Sequence, residues 1–178
     1  MKKYKNKYRI SSARLKNWNY RNKSSYFITI CTDQRKYFFG TIENGEMYLS
    51  KIGLLAHKFW EEIPQHFPHV KLGAFVIMPD HMHGVLTITD DVDDHVKTLQ
   101  CNVFTSVMAT ISPKRGSIST IIRSYKSVTT KHARKINPKF GWQTRFHDWV
   151  IRNTAELNRI QEYIIENPIK WQIKNNQK

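Results

Sequence analysis

Two histidines one residue apart, His81 and His83, are the side chains whose type and spacing most suit chemistry on a phosphate. They lie in Met78-Pro79-Asp80-His81-Met82-His83-Gly84-Val85-Leu86, which reads as a turn followed by a strand. A strand repeats every two residues, so His81 and His83 share one face while Met82, Leu86 and Ile88 point to the core. Two imidazoles in adjacent same-face positions can hold one divalent ion. Gly84 removes a side chain beside the pair and would let a substrate backbone come close. Taken alone, the pair fits equally two polar residues on the less buried face of a sheet. Other patterns fit worse. A zinc site calls for cysteines or a third histidine close in sequence, and Val85 stands where a third alternating imidazole would be. A two-histidine phosphodiesterase needs a second His-x-Ser/Thr. None of His57, His66, His69, His95, His132 and His147 has Ser or Thr two positions later.

Tyr125 is the candidate nucleophile. It lies in Ile121-Ile122-Arg123-Ser124-Tyr125-Lys126-Ser127-Val128-Thr129-Thr130. A phenol with pKa near 10 attacks a phosphodiester only with help for its proton and for the phosphate charge. Arg123 and Lys126 flank it, and a metal would add to that help. Thr129 and His132 follow four and seven residues later on the same side of a helix. By periodicity alone, Tyr125 reads better as a helix aromatic packed on a sheet.

The elements that must position these groups are legible in outline. Residues 25–32 are rich in β-branched and aromatic types and read as a strand. Residues 38–42 and 46–49 flank Glu43-Asn44-Gly45, a hairpin pattern. Ser50 is an N-cap for a helix that ends at or shortly after Pro64, with Ile52, Leu55, Ala56, Phe59, Trp60 and Ile63 at helical spacing. Residues 71–78 and 81–89 form a second hairpin across Pro79-Asp80. Residues 90–116 have no period and carry Asp90-Asp91-Val92-Asp93-Asp94, which predicts a long loop. Residues 117–136 predict a basic helix. An aromatic stretch, 140–150, precedes a helix capped by Thr154 and running to Glu166. Asn167-Pro168 stops it, and a polar tail follows. Helices on one face of an antiparallel sheet, with an appended C-terminal helix, give an α+β layer fold. The division is a basic arm, 1–24, and a single domain, 25–178.

Composition narrows the partners. The 178 residues include 29 Lys and Arg against 14 Asp and Glu, a formal charge of +15. Residues 1–24 and 112–145 each carry nine basic residues and no acidic one. Such charge invites a polyanion. Tyr4, Tyr8, Trp18, Tyr20, Tyr125, Phe140 and Trp142 are interleaved with it, and cations that track phosphates beside aromatics that stack bases suit a single strand. Lys114, Arg115, Arg123, Lys126, Lys131, Arg134 and Arg145 are the candidate nucleic-acid contacts. No apolar run approaches the ~18 residues of a membrane helix, and no secretory leader is visible. Cys31 and Cys101 read as reduced thiols of a cytoplasmic protein.

Four stretches together resemble the single-tyrosine transposases with a His-hydrophobic-His signature, and most closely the REP-associated tyrosine transposases. They are Tyr26-Phe27-Ile28-Thr29-Ile30-Cys31-Thr32, the Met-Pro-Asp-His-Met-His-Gly block at 78–84, Ile122-Arg123-Ser124-Tyr125-Lys126-Ser127, and Trp142-Gln143-Thr144-Arg145-Phe146-His147-Asp148 running on to Tyr163-Ile164-Ile165-Glu166-Asn167-Pro168. The resemblance implies a ferredoxin-like sheet, a homodimer, and Mg²⁺ or Mn²⁺ at His81 and His83. It implies cleavage of single-stranded DNA bearing hairpins through a 5′-phosphotyrosine link, with no nucleotide cofactor. The family often carries Gln or Asn one helical turn after its tyrosine. Here that position is Thr129, with His132 or His147 as substitutes. The alternatives are a non-catalytic single-stranded nucleic-acid-binding protein and a metal-dependent phosphoesterase acting through water.

Overall fold

The computed structural model describes residues 3–4, 7–8, 18–20, 22–89 and 116–176. The expected loop at 90–116 and the candidate contacts Lys114 and Arg115 therefore lie almost wholly outside the described residues, as does most of the basic arm. Within that arm, β1 (Lys3–Tyr4) pairs with β2 (Lys7–Tyr8).

Alternation builds the central sheet. In β3 (Ser24–Cys31), Tyr26, Ile28 and Ile30 are fully buried, while Phe27, Thr29 and Cys31 point to the other side. β3 pairs antiparallel with β7 (His81–Ile88) and with β8 (His147–Ile151), and β7 pairs with β6 (Val70–Met78). The sheet order is β6-β7-β3-β8. A separate hairpin, β4 (Gly40–Glu43) and β5 (Glu46–Leu49), turns through Asn44 and Gly45. Both turn residues have positive φ, 51° and 79°, which is why Asn-Gly stands there.

Helices close both faces. α1 (Lys51–Glu61) starts at Ser50, whose Oγ accepts from the Gly53 N–H. Pro64 lies in the first turn of α2 (Ile63–His66) rather than ending α1. α3 (Ile118–Ala133) lies beside α1. Trp60, Ile121, Ile122 and Tyr125 from these helices join Tyr26, Ile28, Met82 and Leu86 in one core. α4 (Thr154–Ile165) packs on the opposite face, where Ile164 meets Val85 and Ile151. Counting sheet strands, the order is strand-helix-strand-strand-helix-strand, the ferredoxin-like pattern, with α4 as the C-terminal extension.

Three expectations change. The aromatic stretch at 140–150 contains β8, the fourth strand. Asn153, not Thr154, caps α4, its side chain accepting from the Glu156 N–H. The chain beyond Asn167-Pro168 is helical, α5 (Asn167–Asn176), because proline is tolerated in a first turn.

Gly84 also serves a different purpose from the one its place beside the histidines suggests. A Cβ built there would sit 2.5 Å from the Trp60 ring, on the core face. The missing side chain admits an indole, not a substrate. Gly84→Ala should cost roughly 1–3 kcal/mol by overpacking, seen as a lower urea midpoint. An unchanged midpoint would mean that Trp60 has room to move.

Candidate functional site

β7 delivers His81 and His83 to the face opposite α1 and α3. Both are nearly inaccessible to solvent, and their rings meet edge to face at 4.7 Å. Each is held by its Nδ1. Asp80 Oδ1 lies 2.6 Å from His81 Nδ1, and an ionised carboxylate only accepts. The Nδ1 therefore carries a proton, and in the neutral ring Nε2 presents its lone pair. Thr29, directly across the ladder in β3, places Oγ1 2.8 Å from His83 Nδ1. Arg35 Nε in turn pairs with Asp80 Oδ2 at 2.8 Å. Fixing the ring through one nitrogen and freeing the other is how proteins orient metal-binding imidazoles.

Electrostatics keep His83 a base. Burial lowers its pKa to about 3, reinforced by His81 and Arg35 and opposed by Asp80. At neutral pH it holds a lone pair, as a ligand must. Among the described residues no group of three or more His, Cys, Asp or Glu side chains is placed to hold a metal. An ion at this site would rest on the two imidazoles with other oxygen donors.

The structure does not bring Tyr125 to the histidines. Its ring lies between Trp60 and Trp142, with centroids 5.2 and 5.8 Å away. Its hydroxyl donates to the Ala56 carbonyl at 3.1 Å, the side chain is 2% exposed, and burial raises its pKa. It stands on the α1–α3 side of the sheet, and the histidines stand on the other. Thr129 is buried with it and donates to the Tyr125 carbonyl at 2.8 Å. His132 packs on Phe59, 5.1 Å between ring centroids. Neither approaches the imidazoles. His147 does share their face, pairing with Thr29 across β3–β8.

A different tyrosine occupies the place. Tyr163, on α4, sets its hydroxyl 3.5 Å from His83 Nε2, with the rings 5.4 Å apart. It is 42% exposed. Phe27 stacks on His83 at 5.2 Å and meets Tyr163 edge-on at 6.1 Å, which locks the arrangement. Four residues after Tyr163 comes Asn167, buried at the α4–α5 junction. The amide that the resemblance places one turn after the tyrosine is thus present, but after Tyr163 rather than Tyr125. The block containing Tyr163 and Asn167 carried that spacing in the sequence. Thr29, Asp80 and Arg35 carried no such mark, because only the folded ladder and turn bring them to the rings.

The cations separate into two places. Arg123, Lys131, Arg134 and Lys139 line a groove of about 880 Å³ between α3 and the 138–146 segment. Lys126 lines it too, but its Nζ donates to the carbonyls of Gln143 and Arg145 at 2.6 and 3.4 Å. Burial lowers its pKa. It ties down the loop. Arg145 lines a second pocket with Thr29, Cys31 and His147, on the histidine face.

This sheet with its helices superposes on the solved structure of a REP-associated tyrosine transposase bound to a REP hairpin, with a TM-score of 0.59 over 90% of this chain and 74% of that one, at 21% identity. The fold is that of a REP-associated tyrosine transposase. In sequence the chain is 39% identical over 165 residues to an uncharacterized protein of Haemophilus influenzae strain Rd, covering 90% of this chain and 89% of that one, and it belongs to the same family. No family model matches the chain. No helix among the described residues is long and apolar enough to cross a membrane.

The buried imidazole makes stability depend on pH. His83 takes up a proton near 6.5 when unfolded and only near 3 when folded. Between those values the unfolded chain binds a proton that the folded chain refuses. Its contribution is intact above pH 6.5 and is lost as pH falls toward 3. The thermal midpoint of the wild type should drop across that window more steeply than that of His83→Gln. Parallel profiles would show that His83 is not desolvated.

Proposed function

We propose that this chain is a metal-dependent single-stranded DNA endonuclease and strand transferase, a transposase, with Tyr163 as its nucleophile. The observation that carries the reading is the hydroxyl of the exposed Tyr163 3.5 Å from His83 Nε2, beside a second imidazole. The Tyr163 oxygen attacks the scissile phosphorus, the bond to the 3′-oxygen breaks, and the phenolic proton leaves while that oxygen gains one. The products are a 5′-phosphotyrosine link and a free 3′-hydroxyl. Attack by another 3′-hydroxyl reverses the step and joins strands. The number of phosphodiester-type bonds is unchanged, so no nucleotide cofactor is consumed.

His81 and His83 would hold a Mg²⁺ or Mn²⁺ ion through their Nε2 atoms, that of His83 facing the Tyr163 hydroxyl, with the Asn167 amide as a candidate third donor. When bound, the ion would offset charge on the attacked phosphate. Asp80 and Thr29 orient the rings, and Arg35 holds Asp80. The phenol and both imidazoles belong to one chain, so the centre is complete without a partner subunit, and the dimer implied by the resemblance is not required for it. The α3 groove supplies cations for phosphates of a strand or hairpin stem, and the hairpin bound by the REP-associated relative supports that class of substrate.

On a denaturing gel, hairpin-bearing single-stranded DNA with Mg²⁺ or Mn²⁺ should yield a protein–DNA band. Tyr163→Phe should abolish the band. Tyr125→Phe should keep it while losing about 1 kcal/mol of stability with its buried hydrogen bond. Loss of the band only in Tyr125→Phe, with the fold intact, would return the role to Tyr125. Salt-sensitive binding with no band in the wild type would instead leave a non-catalytic binding protein. Replacing Arg123 and Lys131 together by Gln should flatten the slope of log affinity against log salt by about 1.4 on single strands. An unchanged slope in anisotropy titrations would remove them from the phosphate path.

A further inference from the structure

The histidine face is covered unevenly. α4 packs mainly over β6 and β7 and reaches Phe27 of β3 and Ile151 of β8, leaving His147 and Trp149 of β8 exposed. Of these, Trp149 is 49% exposed. A single exposed indole needs no function in general, but two features set this one apart. The first is its place. Register puts Trp149 directly opposite Phe27, the ring that stacks on His83 and touches Tyr163. The second is that its polar atom is already satisfied. Its Nε1 donates to Glu156 Oε1 at 2.8 Å. The other carboxylate oxygen accepts from the Arg152 N–H at 2.8 Å, and the Glu156 N–H donates to Asn153 Oδ1 at 2.8 Å. The acid is fixed at the start of α4, and it fixes the indole. What remains exposed is apolar ring surface, held in one orientation. A stacking partner then binds without having to order the ring.

Beside it the same face offers a seat for charge. His147 precedes Trp149 by two residues in β8, so both side chains leave the sheet on one side. His147, Arg145, Thr29 and Cys31 wall a pocket of about 260 Å³. A guanidinium, an imidazole and a hydroxyl around one space suit a phosphate.

We propose that Trp149 is the stacking platform for an unpaired nucleobase next to the bond that is cut, with an adjoining phosphate of the same strand in the pocket walled by Thr29, Arg145 and His147. The proposal rests on the reading of His81, His83 and Tyr163 as the strand-cutting centre. The base is unpaired because a base inside a duplex has both faces covered, whereas a single strand offers a free one. Every base has such a face, so the platform fixes position and tolerates sequence.

The test is a binding measurement on the full-length Tyr163→Phe chain, in which the proposed cleavage cannot proceed. Fluorescently labelled single strands carry one abasic site, moved one nucleotide at a time through the region of the cut. One position should weaken binding by about 5- to 150-fold, the range for one base–aromatic stack. Adding Trp149→Ala should weaken the intact strand by a similar factor, and the abasic site at that position should then cost nothing further. Trp149→Phe, which keeps a ring, should stay within about threefold of the parent, and a fully paired duplex should be indifferent to residue 149. An abasic walk with no sensitive position, or losses that multiply at every position, would overturn the proposal. A wild-type chain that forms no covalent band would instead strike the nucleophile reading, and the binding result would stand apart from it.

Discussion

The two-residue repeat of a single strand decides which side chains in this protein can react together. In β7 it sends His81 and His83 to one side of the sheet and Met82 and Leu86 to the other. A sheet is a hydrogen-bonded layer that side chains do not cross. α1 and α3 cover the Met82 side, so every group they carry inward, Tyr125 included, is spent on packing. α4 covers part of the His83 side, so Tyr163 arrives beside an imidazole. Which groups stand together follows from that partition rather than from distance along the chain.

Within the histidine face, the surrounding residues hold the rings and keep them basic. Asp80 accepts from one imidazole and is itself paired with Arg35, while Thr29 reaches the other from the neighbouring strand. Groups fixed in this way need no reorganisation when charge develops on a phosphate, which is where preorganised sites derive their effect. The turn that supplies Asp80 is anchored too, since the Thr32 N–H donates to the Asp80 carbonyl at 2.9 Å. At the same end of the sheet, Lys126 holds the loop that leads into β8. The basic groove on α3 and the open shelf around Trp149 flank that loop, one on each side.

Much of this layout was readable from residue types. The alternation in 81–88 placed both histidines correctly, Asn44-Gly45 marked a real turn, and Ser50 capped the helix it preceded. The expectation that Tyr125 faces the histidines fails for a physical reason. Tyr125 sits in a basic run at helical spacing from apolar residues, and that pattern describes both a helix whose aromatic packs inward and one whose aromatic faces a ligand. Which face of the sheet a helix covers depends on the chain's path between elements, which local periodicity does not encode. β8 was hidden because Asp148 shares the core-facing side with Val150 while the apolar Ile151 is buried on the opposite side with His147 and Trp149, so no apolar alternation announces it. The asparagine spacing after Tyr163 was the one local cue pointing to the other tyrosine.

The most direct test is to find which residue carries the DNA. The covalent complex formed with Mn²⁺ on a hairpin-bearing single strand is trimmed with nuclease, digested with trypsin and mapped by mass spectrometry. Cleavage after Arg159 and Lys170 isolates Tyr163, and cleavage after Arg123 and Lys126 isolates Tyr125. The nucleotide mass should ride on the peptide spanning residues 160–170. Its appearance on residues 124–126 would contradict the partition of the molecule by its sheet.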